Sequence, residues 1–167
     1  LAVCKAVQGL TGCAAKIKWP NDVVIGRKKI CGILTEMSAE SDRVDFVVVG
    51  IGINVNTDSF PDAITHKATS LKIETGKPFS RTLLLCEVLR QLEIYTDEFL
   101  LNTCGSITGE YKENCVTIGR EVSAVRGGVQ VIGKAVDVTL SGALVIRQKN
   151  GKLTEINSGE VVVQGIY

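Results

Sequence analysis

Between Lys16 and Asn56 the chain alternates short β-branched runs with tight polar turns, and few folds other than an antiparallel meander accommodate that pattern. Ile17-Lys18-Trp19 leads into Pro20-Asn21-Asp22. Val23-Val24-Ile25 ends at Gly26-Arg27-Lys28, and Lys29 to Met37 returns as the second arm of a hairpin. A polar break, Ser38 to Arg43, separates this arm from a third strand over Phe46 to Val55. Gly, Asn and Asp supply the turns, each able to adopt backbone conformations that β-branched residues resist.

Several residues in this stretch do not belong to an ordinary sheet. Lys29 opens an otherwise apolar strand, and Asn54 interrupts a β-branched run. Gly32, Gly50 and Gly52 lie inside strands, where glycine weakens the ladder and marks a close backbone approach. Lys18 and Asp22 flank the first turn. Cations, an acid, an amide and bare backbone thus meet on one small sheet, a cradle suited to a phosphate-bearing ligand. The same residues also have plainer readings. Arg27-Lys28-Lys29 is a hairpin tip that water would solvate, Asn21-Asp22 is good turn chemistry, and strand glycines serve curvature. Regular alternation puts Lys29 and Gly32 on opposite faces. One site holds both only if a bulge intervenes or Lys29 curls around the strand end.

The segments KWPND (18–22), RKKICGIL (27–34) and VVVGIGINVN (47–56), in this order and spacing, resemble the central sheet of biotin protein ligases, the biotin–[acetyl-CoA-carboxylase] ligases. The resemblance implies an enzyme that uses ATP and Mg2+ to activate biotin as biotinyl-adenylate, releasing pyrophosphate. The biotinyl group then passes to a lysine on the biotin carboxyl-carrier domain of a carboxylase. It implies catalytic roles for Lys29, Lys18 and Asp22. Lys29 matches the lysine that holds the biotin carboxylate and then the acyl–phosphate linkage. Lys18, in KWPND, is well placed for phosphate, Asn54 matches a position near the ATP phosphates and magnesium, and Asp22 would orient a lysine or accept a proton from the incoming amine. Gly32, Leu34, Gly50, Gly52 and Ile53 would form the wall against which biotin lies, together with Lys29. No residue is assigned as a protein-held metal ligand. The family's adenine-stacking tryptophan has no counterpart after Asn54, which leaves Phe60 or an aliphatic side chain for that contact. Two other readings stay open. One is a lipoate–protein ligase or related acyltransferase, against which Trp19-Pro20 and Ile33-Leu34 favour biotin. The other is a non-catalytic binding module.

Composition excludes little but excludes it clearly. With 19 basic and 18 acidic residues the net charge is +1, so no strong field draws the chain to nucleic acid or to an anionic membrane surface. No apolar run approaches the roughly 18 residues of a membrane span, and no signal peptide opens the chain. Six cysteines without a CxxC pair, beside a single histidine, argue for reduced, packed thiols in a cytoplasmic protein rather than a zinc site. The chain begins with Leu, in what reads as a helix over Leu1–Leu10. The expectation is therefore a fragment of a longer protein, lacking the glycine- and arginine-rich biotin loop that the family carries upstream of KWPND.

Beyond the meander, Thr57–Lys67 reads as a loop able to fold over a ligand, and Glu74–Pro78 as a turn. Ser80 is a candidate N-cap for a helix ending near Cys104-Gly105, whose stripe of Leu84, Leu85, Val88, Leu89, Leu92, Tyr95 and Phe99 predicts a buried face. Residues 106–114 read as a short polar helix or turn. From Thr117 short strands follow: Glu121–Val125, Val131–Leu140, Ala143–Gln148, Leu153–Ile156 and Val161–Gln164, with Asn150-Gly151 as a hairpin turn. The expected architecture is α+β: a mixed or antiparallel sheet with packed helices, like a class II synthetase truncated at its N-terminus, over residues 1–115. A small SH3-like barrel follows over 116–167.

Overall fold

The computed structural model describes residues 1–40, 43–101 and 104–167. Helix α1 (Ala2–Thr11) buries Val3, Cys4, Ala6 and Val7 on one face. Gly12 ends it in the left-handed conformation, φ 71°, and its amide returns to the Gln8 carbonyl. Four antiparallel strands follow: β1 (Ala15–Lys18), β2 (Asp22–Ile25), β3 (Lys28–Glu40) and β4 (Arg43–Ile53), hydrogen-bonded in chain order. The expected meander is present but longer. β3 and β4 run through most of the predicted polar break at 38–43, whose Ser41 and Asp42 lie outside the described residues. The side chain of Asn21 explains part of the hairpin's stability, because its amide donates to the Ile33 carbonyl at 2.7 Å.

Three helices follow the sheet, and here the structure departs from the sequence reading. α2 (Leu71–Thr75) occupies the start of what reads as a turn; Ser70 Oγ caps it by accepting the Ile73 amide at 3.1 Å. α3 (Arg81–Leu100) starts at the expected Ser80 cap but stops before Cys104. α4 (Cys104–Asn114) takes up the rest. The apolar stripe of α3 is only partly core. Leu84 and Val88 are buried, whereas Leu85, Leu89 and Phe99 are 57%, 56% and 61% exposed. Helical periodicity marks which residues share a face; it does not guarantee that a partner covers the whole of that face.

Strands β5 (Glu121–Arg126), β6 (Val129–Val138), β7 (Leu144–Arg147), β8 (Leu153–Ile156) and β9 (Val161–Val163) form a second antiparallel sheet in the order β8-β7-β6-β5-β9. Every second residue points into one shared core that includes Val122, Ala124, Leu144, Ile146, Ile156 and Val163, as a small SH3-like barrel requires. A register shift between Ala135 and Asp137 bends β6 as it crosses the barrel.

The two sheets meet along β1 and β2. Ile17 and Val23 pack with α1, α2 and α3 in one core, while Trp19 and Val24 belong to the core of the barrel. Trp19 is 2% exposed, and its indole donates to the Gly142 carbonyl at 2.9 Å. Its amide donates to Thr117 Oγ1 at 3.0 Å. Lys112 of α4 adds an ion pair to Asp137 of β6 at 2.7 Å. The Trp-Pro that interrupts the meander is therefore the point at which the first sheet is anchored to the second.

Glycine substitutions test this packing from two sides. A Cβ on Gly133 would lie 2.2 Å from the Arg147 carbonyl oxygen and 2.9 Å from Gln148 Cα, so Gly133→Ala must displace backbone. We expect it to cost at least about 2 kcal/mol in urea unfolding. Gly9, inside α1, has nothing within 4 Å of an added Cβ, and Gly9→Ala should stabilise by about 0.5–1 kcal/mol. Equal midpoints for the two variants would contradict the structure.

Candidate active site

Strand register assembles the site. Lys18 pairs with Asp22, Asp22 with Gly32, and Gly32 with Gly52, so four strands each contribute one residue to a single transverse row. Residues directly opposite one another share a face. Leu34 and Gly50 form the next row on that face, two residues further along β3 and β4. Leu34 is 63% exposed, and both Gly50 and Gly52 are open to solvent, leaving an uncovered strip of backbone. Ile53, expected on the same wall, pairs with Cys31 and stands on the opposite face, among the residues packed near α3.

Lys29 joins this row through a bulge. Val23 pairs with Cys31 but Val24 pairs with Lys29, so Ile30 is an extra residue on β3. Parity is thereby inverted between Lys29 and Gly32, and both side-chain directions fall on the Asp22 face. The Lys29 ammonium lies 2.6 Å from Asp22 Oδ1. It rests directly on Gly32: a Cβ there would come within 2.9 Å of Lys29 Nζ and 3.0 Å of Cε. Gly32 thus seats the lysine. The backbone of Lys29 is also held, because its amide donates to the Lys67 carbonyl at 2.8 Å and its carbonyl accepts from Thr69 at 2.9 Å.

Asp22 is the centre of the cluster. One carboxylate oxygen takes Lys29, and the other accepts a hydrogen bond from the Tyr167 hydroxyl and lies 3.8 Å from Lys18 Nζ. The two lysines differ in exposure. The Lys29 side chain is 41% exposed, that of Lys18 only 8%, beneath the Tyr167 ring at 4.3 Å from its centroid. Burial lowers the pKa of Lys18, partly offset by Asp22. Burial also raises the pKa of the Tyr167 phenol, as does its hydrogen bond to Asp22, so it stays a donor. A cavity of about 590 Å³ opens beside the cluster, lined among others by Lys18, Asp22, Lys29, Lys67, Glu160 and Tyr167.

Other expected site residues lie elsewhere. Asn54 follows β4, and its side-chain amide donates to the Thr69 carbonyl at 3.1 Å. Its backbone bonds Ile30 and Leu71, so Asn54 ties the 67–71 segment onto β3. That segment carries the end of the 57–67 loop to the cavity through Ile64, Lys67 and Ala68. Burial pushes the Cys31 thiol up to about 12, which makes it a packed side chain rather than a nucleophile. Tyr167 and Glu160 carry no local sequence signal, being a lone aromatic and a turn acid 145 and 138 positions from Asp22.

Comparison with known proteins agrees with this architecture. Residues 1–54 match the family model described as the biotin/lipoate A/B protein ligase family, and residues 117–163 match the biotin protein ligase C terminal domain. The chain is 34% identical over 163 residues to the bifunctional ligase/repressor BirA of Bacillus spizizenii, covering 96% of this chain and 50% of that one. It is 32% identical over 148 residues to the biotin–[acetyl-CoA-carboxylase] ligase of Mycobacterium tuberculosis, covering 87% and 52%. The chain thus spans about half the length of the curated relatives it matches. Among solved structures, the biotin protein ligase of Aquifex aeolicus superposes with a TM-score of 0.85 at 32% identity, over 98% of this chain and 70% of that one. The same enzyme in complex with biotin and ATP gives 0.83 at 31% identity, over 98% and 67%.

The buried pair makes a direct prediction. Asp22 raises the pKa of Lys18, so Asp22→Asn should lower it further, read from the Lys18 Cε resonance in a 13C-lysine NMR titration. It should also destabilise the fold by about 3 kcal/mol, because an ammonium is left buried without its counter-charge. An unmoved Lys18 resonance would show that the two charges do not interact.

Proposed function

The chain belongs to the biotin protein ligase family, and from that premise we propose that it supplies the ATP-dependent activation of biotin and the transfer of the biotinyl group to a carrier lysine. In the first step a biotin carboxylate oxygen attacks the α-phosphorus of ATP. The acyl–phosphate bond forms, the α–β anhydride breaks and pyrophosphate leaves. In the second, the carrier's lysine amine attacks the acyl carbon and AMP leaves. Both reactants of the first step are anions, so the site must offset their repulsion with fixed positive charge.

The observation that carries this reading is Lys29. Its ammonium is held on Gly32 and against Asp22 at 2.6 Å, yet it remains part-exposed to the cavity and to the open glycine face. A cation so placed meets a carboxylate without having to be ordered first. Biotin would lie along Gly32, Gly52, Gly50 and Leu34, where bare backbone permits close approach. Lys67, on the cavity wall, is a second cation in reach of phosphate. Lys18, beneath Tyr167, supports the site through Asp22. Among the described residues no group of three or more His, Cys, Asp or Glu is arranged to hold a metal ion. Magnesium, brought with the nucleotide phosphates, would supply neutralisation of charge on the leaving pyrophosphate. The acceptor is the biotin carboxyl-carrier domain of a carboxylase, in the cytoplasm. No helix among the described residues is long and apolar enough to cross a membrane.

Lys29→Ala in the whole protein tests the assignment. Biotin-dependent ATP–pyrophosphate exchange should fall by about two to three orders of magnitude, the loss typical of one preorganised transition-state contact. The melting temperature should fall only modestly, because Asp22 keeps Lys18 and the Tyr167 hydroxyl when Lys29 is removed. Exchange within about threefold of the unaltered protein removes Lys29 from the mechanism. Exchange that depends on lipoate instead of biotin would replace the substrate.

A further inference from the structure

We propose that Tyr167 is a positioning residue of the adenylation site: through its hydroxyl on Asp22 and its ring over Lys18, the end of the barrel sets the Asp22 carboxylate that aims Lys29. The inference rests on the biotin-activating reading and adds to it a residue more than a hundred positions from the sheet motifs.

Tyr167 is brought to the site by a defined path. After β9, Ile166 turns back into the barrel core at 2% exposure, with its amide on the Val163 carbonyl at 3.2 Å. Arg120 holds the Gln164 carbonyl at 3.2 Å, and the Tyr167 amide donates to the Arg27 carbonyl at 2.9 Å. The segment therefore leaves its own sheet and lands on the tip of the β2–β3 hairpin, one turn away from Lys29.

Its side chain then answers a need of the cluster. A carboxylate between two ammonium groups has two competing orientations, and Asp22 lies 2.6 Å from Lys29 but 3.8 Å from Lys18. The Tyr167 hydroxyl saturates Oδ2, the oxygen nearer Lys18, and leaves Oδ1 to Lys29. The ring meanwhile covers the Lys18 ammonium at 4.3 Å, partly replacing the water it has lost. Without the hydroxyl, Asp22 is free to turn toward Lys18, and Lys29 loses the anchor that directs it at the cavity. Burial and the bond to Asp22 raise the pKa of the phenol, and Glu160, also on the cavity wall in the turn before β9, adds to them.

A residue that only glued barrel to sheet would act on stability alone, so the test separates the two. Tyr167→Phe keeps the ring and removes the hydroxyl; Tyr167→Leu removes both. In the whole protein, kcat for biotin-dependent pyrophosphate exchange is measured per active site, with sites counted by tightly retained biotinyl-adenylate. Tyr167→Phe should lower kcat about tenfold, the factor for losing a hydrogen bond to a charged group, with KM for ATP within about twofold. In parallel, proton NMR of the present chain should show the Lys18 Hε resonances shifted upfield by the ring in the unaltered protein and in Tyr167→Phe. The shift should be lost in Tyr167→Leu. If Tyr167→Phe keeps its kcat per site and only melts earlier, the positioning role is overturned while the ligase reading stands. An absent ring shift in the unaltered chain also overturns it. If the unaltered whole protein folds but makes no biotinyl-adenylate, both fall together.

Discussion

One carboxylate shared by two ammonium groups sets the conditions that the surrounding structure meets. Asp22 and Lys18 are nearly buried, at 9% and 6% exposure, and burying such charges is costly unless geometry and hydrogen bonding compensate. Compensation here needs three strands in one register, so that Lys18, Asp22 and Gly32 fall in a single row. It needs a bulge to bring Lys29 into that row, and a glycine to leave room for its ammonium. It also needs a cover, which the barrel supplies through Tyr167.

The position of the cavity follows from the same packing. β1 and β2 are packed on both faces, by helices behind and by the barrel in front, whereas β3 and β4 run on past the barrel and are exposed on both faces over their far ends. A ligand lying along the glycine face would therefore touch bare backbone at one end and the charged cluster at the other. Trp19 holds the arrangement together, since one side chain supplies apolar contact to the barrel and a hydrogen bond to Gly142. The 67–71 segment, bonded to Lys29 on both sides and to Asn54, closes the remaining flank.

Much of this was legible in the sequence because it is local. Strand-forming runs and glycine-bearing turns mark the meander, and Ser80 marks the start of α3. Motif spacing singled out Lys29, Asp22 and Gly32. What was not legible depends on partners distant along the chain. Leu85 and Leu89 are periodic but uncovered, because a repeat says nothing of what lies opposite. α2 is five residues long, too short for a period to register. Asn54 stood out as an unusual residue in a strand run, but the Thr69 carbonyl to which its amide donates lies beyond any local pattern. Ile53 has the right neighbours in sequence and the wrong face, since alternation separates it from Gly52. Tyr167 meets Asp22 only through the complete path of the barrel.

The extra residue at Ile30 gives the β2–β3 ribbon something like a reading frame. Upstream of it Lys28 and Lys29 are read in one phase, and downstream Gly32 and Leu34 in the other. Deleting Ile30 would leave Lys29 opposite Val24 and on the same face, whereas keeping Ile30 in a regular ladder without the bulge would turn Lys29 away and present Lys28 instead. Two sequences with the same basic pair and the same spacing to the glycine, one bulged and one regular, would thus offer different lysines to the cavity. In comparing such chains, the interval between the lysine and the glycine, taken with the bulge that interval does or does not contain, carries as much chemical information as either residue.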